Sequence, residues 1–161
     1  MRVGIALYTP LVHGEESHWA LVVSQPGQNS LSGTVNIYQI VHGPNGKDFM
    51  LYHRTTDNRQ GANLQASSRY YGLVDLGPVK ADPDVFLAVI EDEEAGQGSY
   101  NPPEGKSWSC VWWVIRTLRA LQSEGIKFKV PSDDLIFYQS VAGLMANMEE
   151  VSDGLRSVSM Y

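Results

Sequence analysis

Short apolar runs, separated by polar and glycine-containing stretches, dominate the first half of the chain. The runs are rich in valine, isoleucine and aromatic residues and have the length typical of β-strands. Asn45-Gly46 is a strong hairpin signal between two of them, whereas the mainly polar segment 57–68 is predicted to be a loop. Strands are predicted at 3–8, 18–23, 34–41, 49–55 and 69–79.

From Asp82 onward the spacing of apolar residues becomes that of amphipathic helices. Asp82-Pro83 supplies an N-cap followed by a proline in the first turn, and Gly125 is a suitable residue to follow a helix end. The tail from residue 152 is predicted to be loose. Helices are predicted at 82–94, 107–124 and 131–148.

Strands therefore precede helices, an order that predicts the α+β class, with an antiparallel β-sheet packed against helices. A length of 161 residues favours one domain, 1–161. The formal net charge of -6, from 12 basic and 18 acidic residues, argues against a nucleic-acid partner. No apolar run reaches the length of a membrane span, and a single cysteine cannot form an internal disulfide. We expect a cytoplasmic protein without stable membrane insertion; its oligomeric state stays open.

Cys110 is the only cysteine and falls in the first turn of the second predicted helix, where Ser107 or Ser109 can act as the N-cap. The amides and dipole of a helix N-terminus favour an anion and lower the pKa of a thiol there. A nucleophilic thiol also needs a base. His18, at the entrance of the most apolar predicted strand, is the best candidate for that base.

The group that orients the base is expected on the neighbouring strand, 34–41, or at its end. Gln39 and His42 are the main candidates, and Asn36 and Tyr38 are alternatives that the sequence leaves open. The histidines and the cysteine lack a compact metal-binding spacing, so no metal or other cofactor is expected.

The tryptophans allow two interpretations. Most of them are expected to pack in the core, but amphipathic rings also suit the walls of a groove. Residues predicted to contact substrate are Trp19, Trp108 and Trp113.

Two short motifs carry a resemblance to a known group. The run 18–23 begins with His18-Trp19, and the run 109–114 places Cys110 at the start of a helix far downstream. This arrangement resembles the circularly permuted papain-like superfamily, which includes lecithin:retinol acyltransferase relatives and permuted NlpC-type hydrolases. The chain would be a divergent member, since Ser109 stands where the group has asparagine before the nucleophile.

The resemblance implies a permuted papain-like fold with Cys110 as nucleophile and His18 as base. It implies a cysteine-dependent hydrolase or acyl-transfer enzyme that forms a thioester from a small-molecule, lipid or peptide acyl substrate. The alternative is a non-catalytic relative of the same fold that acts as a binding or interaction module, with an inert Cys110.

Overall fold

The apolar runs form one mostly antiparallel sheet in the computed structural model, which describes residues 1–10, 16–42, 55–145, 147–150 and 156–160. In this part of the chain the strand order is β4-β3-β2-β1-β5-β7-β6, and β5 and β7 form the one parallel pair. The strands are β1 (Arg2–Tyr8), β2 (His18–Ser24), β3 (Thr34–Val41), β4 (Thr55–Asn63), β5 (Tyr70–Pro78), β6 (Glu149–Glu150) and β7 (Arg156–Ser159).

Three α-helices follow the main strands in sequence, so the α+β class is confirmed. A short 3₁₀ turn, Leu64–Ala66, precedes β5. The helices are α1 (Pro83–Asp92), α2 (Cys110–Ser123) and α3 (Asp134–Met145). No helix in the described part of the chain combines the length and the apolar composition that crossing a bilayer requires.

The sheet is apolar on both faces because β1 and β2 lie in its middle and are buried from their second residue onward. On one face, Trp19 and Leu21 of β2 pack with the apolar side of α2. On the other face, Ala20 and Val22 belong to a smaller cluster that includes Leu31. The first residues of β2 therefore lie beside the helices, and successive residues of this strand belong alternately to two separate apolar clusters.

Gly4 shows how closely the smaller cluster is packed. A Cβ atom at this position would lie 2.8 Å from Leu31 Cδ1 and 2.9 Å from the carbonyl oxygen of Val74. Only glycine leaves room for both neighbours, which explains its place within an otherwise apolar strand.

Helix α1 begins as its sequence predicts. The Asp82 side chain accepts bonds from the amides of Asp84 at 2.9 Å and Val85 at 3.5 Å, and Pro83 opens the first turn. At α2 the residue before the helix is Ser109, but its hydroxyl makes no capping bond. Ser109 therefore occupies the predicted N-cap position, but the predicted capping bond from its hydroxyl is absent.

Several boundaries differ from the prediction. The expected loop 57–68 contains most of β4, which pairs with β3 through backbone groups despite its polar side chains. The tail expected to be loose contains β7, which pairs with β5. The third helix ends at Met145, before residue 148. Of the predicted strand 49–55, only residue 55 is described, as the first residue of β4. His13, His53 and the Asn45-Gly46 turn lie outside the described residues.

Candidate active site

The N-terminus of α2 and the first residues of β2 meet at one point. Cys110 is the first residue of α2, and its side chain is half-buried. The Trp19 backbone amide donates a hydrogen bond to Cys110 Sγ at 3.4 Å. A backbone donor on sulfur stabilises the thiolate relative to the thiol, because the charged acceptor makes the stronger bond.

The His18 side chain links Cys110 to strand β3. The Cys110 side chain raises the pKa of this ring through hydrogen bonding and charge, and Nε2 lies 2.7 Å from Gln39 Oε1. An amide oxygen can only accept, so Nε2 carries a proton and donates to Gln39. With Nε2 engaged by Gln39, Nδ1 is the ring nitrogen that remains to accept the thiol proton.

The surroundings of His18 favour its charged form. Burial acts most strongly and lowers the pKa, but the hydrogen bond and charge of Cys110 and the bond with Gln39 together outweigh it. Arg69 opposes them weakly through its charge. The net result is a pKa of His18 above its ordinary value of 6.5. A histidine that holds its proton beside a cysteine favours an imidazolium–thiolate pair.

Replacing Gln39 by leucine is expected to lower the pKa of His18, because the bond that favours the charged ring is lost while burial remains. Folding raises the pKa of His18 in the wild type. Protonated His18 therefore stabilises the fold fully below pH 6.5, and this contribution disappears as the pH rises through the pKa of His18 in the folded protein. The stability difference between wild type and variant should therefore narrow with rising pH. An NMR titration of the imidazole and unfolding curves across this range measure both effects. The matched variant His42→Ala should leave the pKa of His18 unchanged. If His42→Ala shifts this pKa and the Gln39 variant does not, Gln39 is not the orienting group.

The Tyr8 ring lies beside His18 and belongs to the apolar cluster on the face of the sheet away from the helices. Tyr8 is directly opposite His18 in the β1–β2 register, with ring centroids 5.8 Å apart, and it contacts Tyr70 edge-on. Burial raises the pKa of Tyr8 to about 12, an effect that the charge of Arg59 partly offsets. Tyr8 is therefore neutral in the physiological range and restrains the imidazole by packing.

A polar cluster lies on the other side of Cys110. Glu16, two residues before β2, accepts a bond from the Ser109 hydroxyl at 3.4 Å and lies 3.9 Å from Lys106 Nζ. Tyr138 of α3 also bonds to Glu16; its pKa is raised to about 12, mainly by burial and further by that carboxylate. The Lys106 ammonium lies 4.6 Å from the centre of the Tyr138 ring. We call these residues, Glu16, Lys106, Ser109 and Tyr138, the Glu16 cluster.

The structure brings three of the predicted catalytic residues together: Cys110, His18 and Gln39. His42 is exposed and follows the last residue of β3, whereas Gln39 is hydrogen-bonded to the His18 imidazole. Of the alternatives, the Asn36 side chain accepts bonds from Gln25 and Gly61. Tyr38 belongs to the apolar cluster on the helix face.

The three tryptophans predicted to bind substrate are buried: Trp19 is 1% exposed, Trp108 8% and Trp113 0%. The Trp108 and Trp113 indoles donate to the carbonyl oxygens of Ala95 and Glu94, both at 3.1 Å. Trp19 stacks on Tyr138 at 5.9 Å. Their rings fill the space between the sheet and the helices, and their contact with substrate stays a prediction.

Sequence reasoning missed Glu16 and Tyr8. Glu16 had one available signal, its position two residues before His18 in a polar connection. Tyr8 required the β1–β2 register, which the sequence alone does not supply. Among the residues that the structure describes, no three potential metal ligands lie together.

Comparisons with protein-family models, with curated proteins and with solved structures give no match to this chain.

Proposed function

We propose that the protein is a cysteine-dependent hydrolase or acyl-transfer enzyme. The observation that carries the proposal is the continuous chain of side-chain contacts from Cys110 through His18 to Gln39, with the Trp19 amide as a further donor to the sulfur. A nucleophile bonded to a base, with the base held by a third group, is the arrangement that covalent acyl transfer requires.

In the first half of the reaction, the Cys110 thiol gives its proton to His18 Nδ1 and the sulfur attacks the carbonyl carbon of the substrate. The carbonyl oxygen becomes an oxyanion, to which the backbone N–H of Cys110 donates. The intermediate collapses when its bond to the leaving amine or alcohol breaks. His18 returns the proton to that leaving group, and a thioester remains on Cys110.

In the second half, His18 takes a proton from water or an acceptor amine as that molecule attacks the thioester. Collapse of the new intermediate releases the acid or amide product, and His18 protonates the departing sulfur. Gln39 acts throughout by holding Nε2, which keeps Nδ1 directed at the sulfur. A neutral amide can do this without competing for the proton.

The alternative is a binding module with an inert cysteine. Such a module has no need for a base on its cysteine, so the bond between His18 and Cys110 favours the enzyme. The same contacts fit the permuted papain-like assignment, which we retain as part of the proposal. The acyl donor is a small molecule, a lipid or a peptide, and the reduced lone thiol suits the cytoplasm.

Incubation with p-nitrophenyl acetate tests this mechanism directly. We expect a burst of nitrophenolate, stoichiometric with enzyme, as the acetyl group passes to Cys110 and its thioester accumulates. Intact-mass measurement should show one added acetyl group that hydroxylamine removes. Cys110→Ala is the matched control because it removes the only thiol in the chain. A wild type that gains no acetyl group, or a variant that gains it equally well, contradicts the proposal.

A further inference from the structure

The N-terminus of α2 lacks the cap that its sequence offers. Ser109 has the extended backbone of an N-cap residue, with φ −157° and ψ 176°, yet its hydroxyl accepts no bond from the helix. A serine at this position ordinarily accepts from the second or third helical amide, here Val111 or Trp112. The first bond within the helix runs from the Trp113 amide to the Ser109 carbonyl. The Val111 and Trp112 amides therefore come before the first amide that is bonded within the helix.

Helix α1 in the same chain shows the ordinary arrangement. There the Asp82 side chain accepts from two first-turn amides. The difference at α2 lies in what surrounds the cap, since serine is as capable of capping as aspartate.

Glu16 accounts for the difference. Its Oε2 accepts from the Ser109 hydroxyl, while Lys106 and Tyr138 contact the same carboxylate. Glu16 is thus fixed by groups from the loop before α2, from its cap and from α3. The Ser109 hydroxyl points towards this carboxylate and away from the helix.

We infer that Glu16 is a positioning residue that holds the Ser109 hydroxyl off the first turn of α2 and so leaves the positive end of the helix to Cys110. The inference rests on the proposed function. A capping hydroxyl would place its oxygen against the amides of the turn that carries the nucleophile, where it competes with the thiolate and the oxyanion for the same positive charge. Glu16 prevents this competition without touching the reacting atoms.

The test combines two substitutions and follows acetylation of Cys110 by p-nitrophenyl acetate. Glu16→Ala frees the Ser109 hydroxyl to cap the helix, and we expect acetylation to slow by about fivefold, the size of a helix-terminus charge effect. Adding Ser109→Ala removes the competing hydroxyl and should restore most of the rate. Glu16→Gln keeps an acceptor for the Ser109 hydroxyl but removes the charge, and it should retain at least half of the wild-type acetylation rate. Glu104→Ala, an exposed carboxylate in the preceding loop, is the control and should have no effect.

Three results would overturn the inference. One is an unchanged rate in Glu16→Ala, another is a double variant as slow as the single one, and the third is equal loss in Glu16→Gln and Glu16→Ala. The second result indicates a purely structural role, and the third indicates that the charge itself matters.

A stability measurement separates this inference from the proposed function. Ser109→Ala should leave the urea midpoint unchanged in the wild type, where the hydroxyl does not cap, and lower it in the Glu16→Ala background, where it does. This readout needs no activity. If Cys110 never reacts but the stability pattern appears, the proposed function fails while the positioning of Ser109 stands; an equal effect of Ser109→Ala in both backgrounds overturns the positioning.

Discussion

Replacing His18 by alanine is expected to slow acetylation of Cys110 at neutral pH by about 100- to 10,000-fold, the usual contribution of a positioned general base. The variant loses the acceptor for the thiol proton, while the Trp19 amide on the sulfur and the helix terminus remain. Burst kinetics with p-nitrophenyl acetate measure the effect.

Free imidazole provides the control. The variant leaves a space beside Tyr8 and Gln39 where the ring was, so added imidazole should restore part of the rate without changing the wild type. The pH dependence should also change, because the variant should react only as its thiol ionises on its own. A His18→Ala protein that is folded by circular dichroism and reacts at the wild-type rate would contradict the role of His18 as base.

Substituting Trp113 by alanine is expected to lower the free energy of unfolding by about 3–5 kcal/mol, the range for large aromatic residues in cores. Trp113 is fully buried in the helix-side cluster, and its indole donates to the Glu94 carbonyl. Truncation removes the ring and one donor to that carbonyl, which also accepts from the Arg116 guanidinium. Urea unfolding measures the loss.

The neighbouring Trp112 offers a matched comparison. It is equally buried, but its indole nitrogen has no hydrogen-bond partner in the described part of the structure. Trp112→Phe removes an unbonded donor, whereas Trp113→Phe also breaks a bond, so Trp113→Phe should destabilise more. Unchanged stability in Trp113→Ala, together with a raised KM for an acyl substrate, would instead support the prediction that this residue binds substrate.

The sequence was most informative where a local signal decides the structure. The starts of α1 and α2 follow from the residues around Asp82 and Cys110, and the central strands follow from continuous apolar runs. The sequence also predicts that His18 serves Cys110, because a thiol nucleophile needs a base, but the layered α+β order does not by itself bring these two residues together.

The third residue of the site needed information that a sequence does not contain. Gln39 and His42 were equally plausible as long as the β2–β3 register was unknown. Leu21 is paired with Tyr38 and Val22 with Ile37. Extending that register places Gln39 opposite Ala20, on the same face of the sheet as His18. A different register would have selected a different residue.

The tryptophans illustrate a second limit. Composition indicates that aromatic rings suit either a core or a groove, and only packing decides between them. Here Trp19, Trp108 and Trp113 fill the space between the sheet and the helices. The contacts of Glu16 could likewise not be predicted, because its partners Lys106, Ser109 and Tyr138 lie about ninety residues or more away in sequence.

Strand β4 was mistaken for a loop because its residues are polar, and that composition has a consequence for the molecule in solution. In the described part of the chain β4 ends the sheet, with β3 as its neighbour. An apolar strand in that place would present a template on which other copies could stack edge to edge. Asp57 and Arg59 in its sequence, and the irregular pairing near Gly61, make such stacking unfavourable. The polar composition that hides β4 from a hydrophobicity pattern therefore also disfavours edge-to-edge association through this strand.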